Sequence, residues 1–117
     1  MSLQKIIITF IVFLGIGFSA CLAQAQEESY KITIENHQFS PEVLVIPAGQ
    51  KVKIVVENLD PTPEEFESFD LNREKVVAGK AAITIFIGPL KPGTYEYFGE
   101  FHQDTAQGTI LVKEEEK

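Results

Sequence analysis

His102 is the residue around which chemistry can be built. It stands in the polar stretch Glu100-Phe101-His102-Gln103-Asp104, between Tyr95-Glu96-Tyr97-Phe98 and the hydrophobic Ile110-Leu111-Val112. An imidazole in such a loop is either solvated or a metal ligand. Oxygen donors of the right kind are supplied by Glu65 and Glu67. These lie two apart, so on an extended strand both point to one face while Phe66 points to the other. Brought near His102, they would form an oxygen and nitrogen site without a thiolate. Such a set suits iron and also accepts Cu(II), Mn(II) or Zn(II), with Cu(II) favoured on raw affinity. Glu64, Glu74, Glu100 and Asp104 are acidic candidates of second rank. The competing reading makes Glu65 and Glu67 the outer face of an edge strand, where charge blocks unwanted pairing. His37, just before Phe39 and Pro41, reads as a surface or capping residue.

The positioning elements begin after residue 25. Met1–Lys5 is weakly basic, Ile6–Ala20 is apolar and uncharged, and Ala23-Gln24-Ala25 is a small-x-small cleavage site. This predicts a secretory signal peptide over residues 1–25 and a mature domain over 26–117. The apolar run is shorter than the ~20 residues a membrane-spanning helix needs. Phe18-Ser19-Ala20-Cys21 loosely matches a lipidation signal, so a lipid anchor on Cys21 is the alternative. Cleavage after Ala25 removes both Cys21 and Met1, the single Cys and single Met of the chain. The exported domain then carries no sulfur and must be stabilised by a packed core. All acidic residues fall in that domain, and the chain has a formal net charge of −7. Nucleic acid is thereby excluded as a partner, since phosphate binding needs clustered Lys and Arg. Acidity favours cations or a basic partner.

Period-two alternation runs through the mature part. Tyr30, Ile32 and Ile34 alternate with polar residues, and Leu44 and Ile46 alternate with Val43 and Val45 up to the turn Pro47-Ala48-Gly49. Val52, Ile54 and Val56 form a third strand that stops at Asn58-Leu59-Asp60-Pro61. After the stiff Pro61-Thr62-Pro63, residues 64–71 read as a strand and Glu74–Val77 as ambiguous. Ile83, Ile85 and Ile87 give another, followed by Tyr95 to Tyr97 and Gly108 to Val112. His37 to Pro41 reads as an interruption. Helical periodicity is missing from this part, so the chain is predicted all-β, a sandwich of seven or eight strands in one domain. Tyr95 and Tyr97 are expected in the core with partnered hydroxyls, and Glu114–Lys117 as a disordered tail.

Two of these segments resemble the metal-bearing end of cupredoxins: the aromatic strand with its His-bearing loop, and the strand that follows Pro63. Phe39-Ser40-Pro41, Thr62-Pro63-Glu64-Glu65-Phe66-Glu67-Ser68 and Gly88-Pro89-Leu90-Lys91-Pro92-Gly93 with Phe101-His102 further resemble cupredoxin-like components of bacterial iron-uptake systems, of the EfeO/FtrB type. The resemblance implies a Greek-key β-sandwich and a periplasmic protein binding a copper or iron ion beside a permease or a periplasmic iron-binding partner. It also leaves room for a homodimer. The chain departs from the family pattern in its ligands. Gly99 stands where a Cys is expected, no Met closes the loop, and carboxylates follow Pro63 where an imidazole is expected. A blue-copper centre is therefore excluded, because it needs the Cys thiolate.

Three functions remain from the sequence. The first is an accessory that binds iron or copper at Glu65, Glu67 and His102 ahead of uptake. The second is a ferroxidase, against which stands the want of a second redox centre to pass electrons to oxygen. The third is a metal-free interaction module.

Overall fold

The computed structural model describes residues 29–115. The expected signal peptide, Cys21 and the last residues of the tail lie outside them. Among the described residues no helix is long and apolar enough to cross a membrane. The strands are β1 (Ser29–Glu35), β2 (Gln38–Ser40), β3 (Val43–Pro47), β4 (Val52–Asn58), β5 (Glu64–Ser68), β6 (Arg73–Val77), β7 (Ala82–Ile87), β8 (Gly93–Gly99) and β9 (Gln107–Lys113). A single 3₁₀ turn, Glu100–His102, joins the last two.

Two sheets pack face to face. One has the order β2-β1-β4-β7 and the other β3-β9-β8-β5-β6. The pairs β1–β4 and β3–β9 are parallel and the remainder antiparallel. Parallel neighbours cannot be joined by a hairpin, so the chain crosses repeatedly from one sheet to the other. The all-β sandwich expectation holds, with one strand more than expected. The extra strand is β2, whose three residues pair with Thr33–Glu35 and were masked in the sequence by the surrounding polar and proline residues. Gly49 takes φ 72°, the left-handed value its turn requires.

Period-two burial is the rule throughout. β4 alternates strictly from Val52 to Asn58, and β5 buries Glu64, Phe66 and Ser68 while leaving Glu65 and Glu67 half-exposed. The inner faces supply Ile32, Ile34, Ile54, Val56, Ile85 and Ile110 to one core. At the end of the sandwich that carries the 3₁₀ turn, this core becomes aromatic. Phe66 stacks on Tyr97 at 4.9 Å between centroids, and Phe39 meets Tyr97 edge-on at 4.9 Å. Those rings act as the platform for what lies above them. Each stands two residues along the chain from a position at the sandwich end: Phe39 from His37, Phe66 from Glu64, and Tyr97 from Gly99.

Candidate metal centre

The site is assembled from the β1–β2 turn, the start of β5 and the β8–β9 loop. In the turn, Asn36 and His37 both adopt left-handed backbone, with φ 53° and 57°. Such conformations are costly for residues with a Cβ unless something holds them. Here Asp60 does so, its two carboxyl oxygens accepting from the amides of Asn36 (2.8 Å) and His37 (2.9 Å). Asp60 is itself oriented by Asn58, whose Oδ1 accepts from the Asp60 amide at 3.0 Å. The His37 amide, the largest influence, holds the Asp60 carboxyl below its usual range, and the Asn36 amide and nearby positive charge act the same way against burial. Nδ1 of His37 lies 3.5 Å from Oδ2 of the same group, so one carboxyl group faces both backbone and ring.

Glu64 is the first residue of β5 and is 1% exposed. The strand's alternation turns it inward with Phe66, and among the described residues no Lys or Arg pairs with its side chain. Oε1 accepts from the amides of Phe101 (2.8 Å) and Glu65 (3.0 Å), and Oε2 lies 2.5 Å from Nδ1 of His102. The His102 ring stacks on that of His37, with centroids 3.6 Å apart and planes 13° from parallel. The loop is closed by the Ala106 amide donating to the His102 carbonyl, and Thr105 Oγ1 ties it to the His37 carbonyl at 2.7 Å. One donor atom from each of His37, Glu64 and His102 lies within 4.8 Å of the others.

Gly99 explains why this arrangement is feasible. A Cβ there would lie 2.6 Å from Cδ of Glu64, 2.8 Å from its Oε1 and 2.6 Å from Cβ of Ala106. The space that a side chain at position 99 would use is filled by the Glu64 carboxyl group. A thiolate at that place is thus incompatible with the Glu64 seen here. The bare backbone at position 99 and the inward carboxylate of Glu64 require each other.

The residues named from sequence separate into two groups. His102 is at the centre just described, and Glu64, ranked second, is beside it. Glu65 and Glu67 do not join them. Lying on alternate positions to Glu64, they project from the opposite face of β5 and gather with Glu74 of β6. There Glu65 is pushed up to about 7, chiefly because Glu74 shares a hydrogen bond with it, with burial and the neighbouring negative charges adding to the effect. Glu67 is raised too, first by burial and then by its hydrogen bond with Glu100. Asp104 is exposed in the loop and belongs to neither group. His37 is the residue that sequence reasoning passed over. Its signal was the Asn36-His37 pair at a strand end, a natural left-handed turn, yet nothing local said that the turn would meet the His102 loop.

Two sheets packed face to face, with histidines from two loops meeting over an aromatic platform, define a β-sandwich with its candidate metal centre at one end. Residues 6–112 match the cupredoxin-like domain family, and the chain belongs to it. It is 52% identical over 84 residues to the uncharacterized protein RP394 of Rickettsia prowazekii (strain Madrid E), covering 72% of this chain and 67% of that one. Among solved structures, the fold is similar to a purple cupredoxin from Nitrosopumilus maritimus (TM-score 0.57, 23% identity, 72% of this chain and 99% of that one). It is also similar to auracyanin A, a "blue" copper protein of Chloroflexus aurantiacus (0.63, 16%, 74% and 98%). Amicyanin from Paracoccus versutus is a third such structure (0.59, 18%, 78% and 87%).

The fold family includes copper proteins, and the donor set limits which kind of centre these residues could hold. A blue centre does not fit, because position 99 offers neither sulfur nor room for it. Two imidazoles and one carboxylate do fit Cu(II), and the same set is the one that non-haem Fe(II) prefers. The 2.5 Å between His102 and Glu64 is a hydrogen-bond distance. Two donors on one ion stand ~3 Å apart, so an ion and that hydrogen bond compete for the same pair of atoms.

Proposed function

We propose that this is an exported, non-blue member of the cupredoxin-like family that binds a copper or iron ion through His37, Glu64 and His102. In this reading it serves as an accessory to metal uptake, presenting the ion to a membrane permease or an iron-binding partner. The observation that carries it is Glu64. A carboxyl group 1% exposed, without a Lys or Arg partner among the described residues, and set against two imidazoles costs stability unless a cation or a proton is shared with it. Asp60 behind His37 supplies the outer carboxylate that metal-bound histidines usually have. His37, Glu64 and His102 would hold the ion, which would supply positive charge between the three donors in place of the hydrogen bond between His102 and Glu64. Glu65, Glu67 and Glu74 lie outside this centre and raise the local cation concentration.

Calorimetric titration with Cu(II), Fe(II), Fe(III), Mn(II) and Zn(II) tests the reading. Stoichiometric binding is expected in wild type and in Glu65→Gln/Glu67→Gln, and a loss of at least about tenfold in Glu64→Gln and in His37→Ala. Binding that survives in the last two but vanishes in the first variant places the ion on the outer carboxylates and refutes the assignment. An absence of binding to every metal refutes metal binding itself.

A further inference from the structure

The outer face of the five-stranded sheet holds a second feature, remote in chemistry from the histidines. A cleft of about 440 Å³ opens there, lined among others by Glu42, Phe69, Glu96, Phe98, Gln107 and Thr109. Phe69 is 78% exposed, an unusual state for a phenylalanine. Its ring leans on Phe98 at 5.5 Å between centroids. The turn that presents it is not loose. Ser68 Oγ donates to the Glu96 carbonyl (2.6 Å) and accepts from the Leu71 amide (3.1 Å), while Asp70 accepts from the Glu96 amide (2.9 Å). Phe69 is thus held outward by a turn fastened to β8.

The charged residues that line the cleft are both acidic, and one cation, Arg73, shares the adjoining recess with Phe69 and Glu67. Glu67 is the direct cross-strand neighbour of Phe98, Glu74 is that of Glu67, and Glu42 and Glu96 lie in the cleft wall. No lining residue is basic. The cations of the neighbouring edge are turned elsewhere: Arg73 donates to the Phe86 carbonyl and Lys75 to that of Thr84, both on β7 of the other sheet. Lys31 pairs with Glu57 on that sheet as well.

We propose that this face docks a basic segment of a partner protein, with an apolar side chain seated against Phe69 and Phe98 and Lys or Arg side chains meeting Glu42, Glu67 and Glu96. Charge selects the occupant. A second copy would bring the same carboxylates against themselves, and anionic lipid or nucleic acid is repelled. An aromatic anchor fixed in place and ringed by charge is also what confines affinity to one patch.

The test is an amide chemical-shift titration of the purified protein with a synthetic peptide, Lys-Lys-Leu-Lys-Lys, blocked at both ends. The expected shifts cluster at Phe69, Glu96, Phe98 and Thr109. Phe69→Ala should weaken binding at least about fivefold with the spectrum otherwise unchanged, Glu67→Gln/Glu96→Gln should do likewise, and raising salt from about 20 to about 200 mM should weaken it further. Replacing the peptide's Leu by Ser should reproduce the Phe69→Ala loss. Equal binding by Phe69→Ala and wild type overturns the proposal, leaving only diffuse attraction. Shifts confined to the β1 and β4 side overturn it, as does sedimentation showing wild type to dimerise through Phe69. Magnesium ion giving the same shift pattern as the peptide overturns it too.

Discussion

Gly99→Ala puts the largest strain on the reasoning about the site. The added methyl would begin 2.6 Å from both Cδ of Glu64 and Cβ of Ala106, about an ångström inside ordinary contact. The clash falls on packed atoms, and overpacking of this kind costs about 1–3 kcal/mol. If Glu64 swings away instead, the amides of Phe101 and Glu65 lose their acceptor, and each part-buried donor left unpaired costs on the order of 1 kcal/mol. Whichever route relaxes the strain, a loss of about 1–3 kcal/mol is expected, or on the order of 5–20 °C in Tm for a domain this small. Chemical denaturation gives the first number and calorimetry the second. Metal affinity should fall with it, because Glu64 cannot keep its place. The double variant Gly99→Ala/Glu64→Ala separates the causes, since removing the carboxyl group makes room for the methyl. Its loss should be smaller than the sum of the two single losses by at least about 1 kcal/mol. A Gly99→Ala protein as stable as wild type, or strictly additive losses, would refute the claim that Glu64 owns the space beside position 99.

Asp60→Asn should cost about 1–2 kcal/mol, since one of the two backbone donors in the left-handed turn loses a charged acceptor. The folded-state pKa of Asp60 is lowered, so its contribution is present above the ordinary 3.8 and disappears as pH falls through the folded value. The variant should therefore flatten the acid limb of a stability–pH curve measured by denaturant titration. Glu65 works in the opposite sense. Raised from 4.5 to about 7, it holds a proton that the unfolded chain releases earlier, so stability declines as pH rises through that window. Thermal scans from pH 5 to 8 should show this decline in wild type and less of it in Glu65→Gln. Tyr97→Phe should leave stability unchanged or raise it by about 1 kcal/mol, because the Tyr97 hydroxyl is buried without a hydrogen-bond partner. A loss of more than 1 kcal/mol in denaturation would mean that the hydroxyl has a partner after all.

The aromatic core illustrates how far local rules carry. Alternation placed Tyr97 inside, and it is 1% exposed. It did not foresee that the hydroxyl would sit under Gly108, where a Cβ would lie 2.4 Å from the oxygen and no acceptor is within reach. Tyr95, by contrast, finds the Lys91 carbonyl at 2.8 Å, as expected of a tyrosine whose ring tip reaches the edge. Strand existence was legible because side chains in a sheet alternate by residue, whatever the partners. Partner identity was not, since parallel pairing of β1 with β4 and of β3 with β9 joins segments distant in the chain.

For the site, the same division holds. The sequence by itself determined an all-β domain, a His102-bearing loop, an acidic surface and the absence of any thiolate at position 99. Those follow from residue type and period two. It even contained the fact that Glu64 shares a face with Phe66, while Glu65 and Glu67 take the other, for Phe66 is apolar and must point inward. Only the tertiary structure decided which carboxylate meets His102 and that His37 stacks upon it. Closing the sandwich brings residues 37, 64 and 102 together from a turn, the start of a strand and a loop, and that proximity depends on how the sheets cross. Local pattern carries no information about it. Nor could the chain alone show that Gly99 is empty because Glu64 is full, since a clash exists only between atoms that the fold has already brought together.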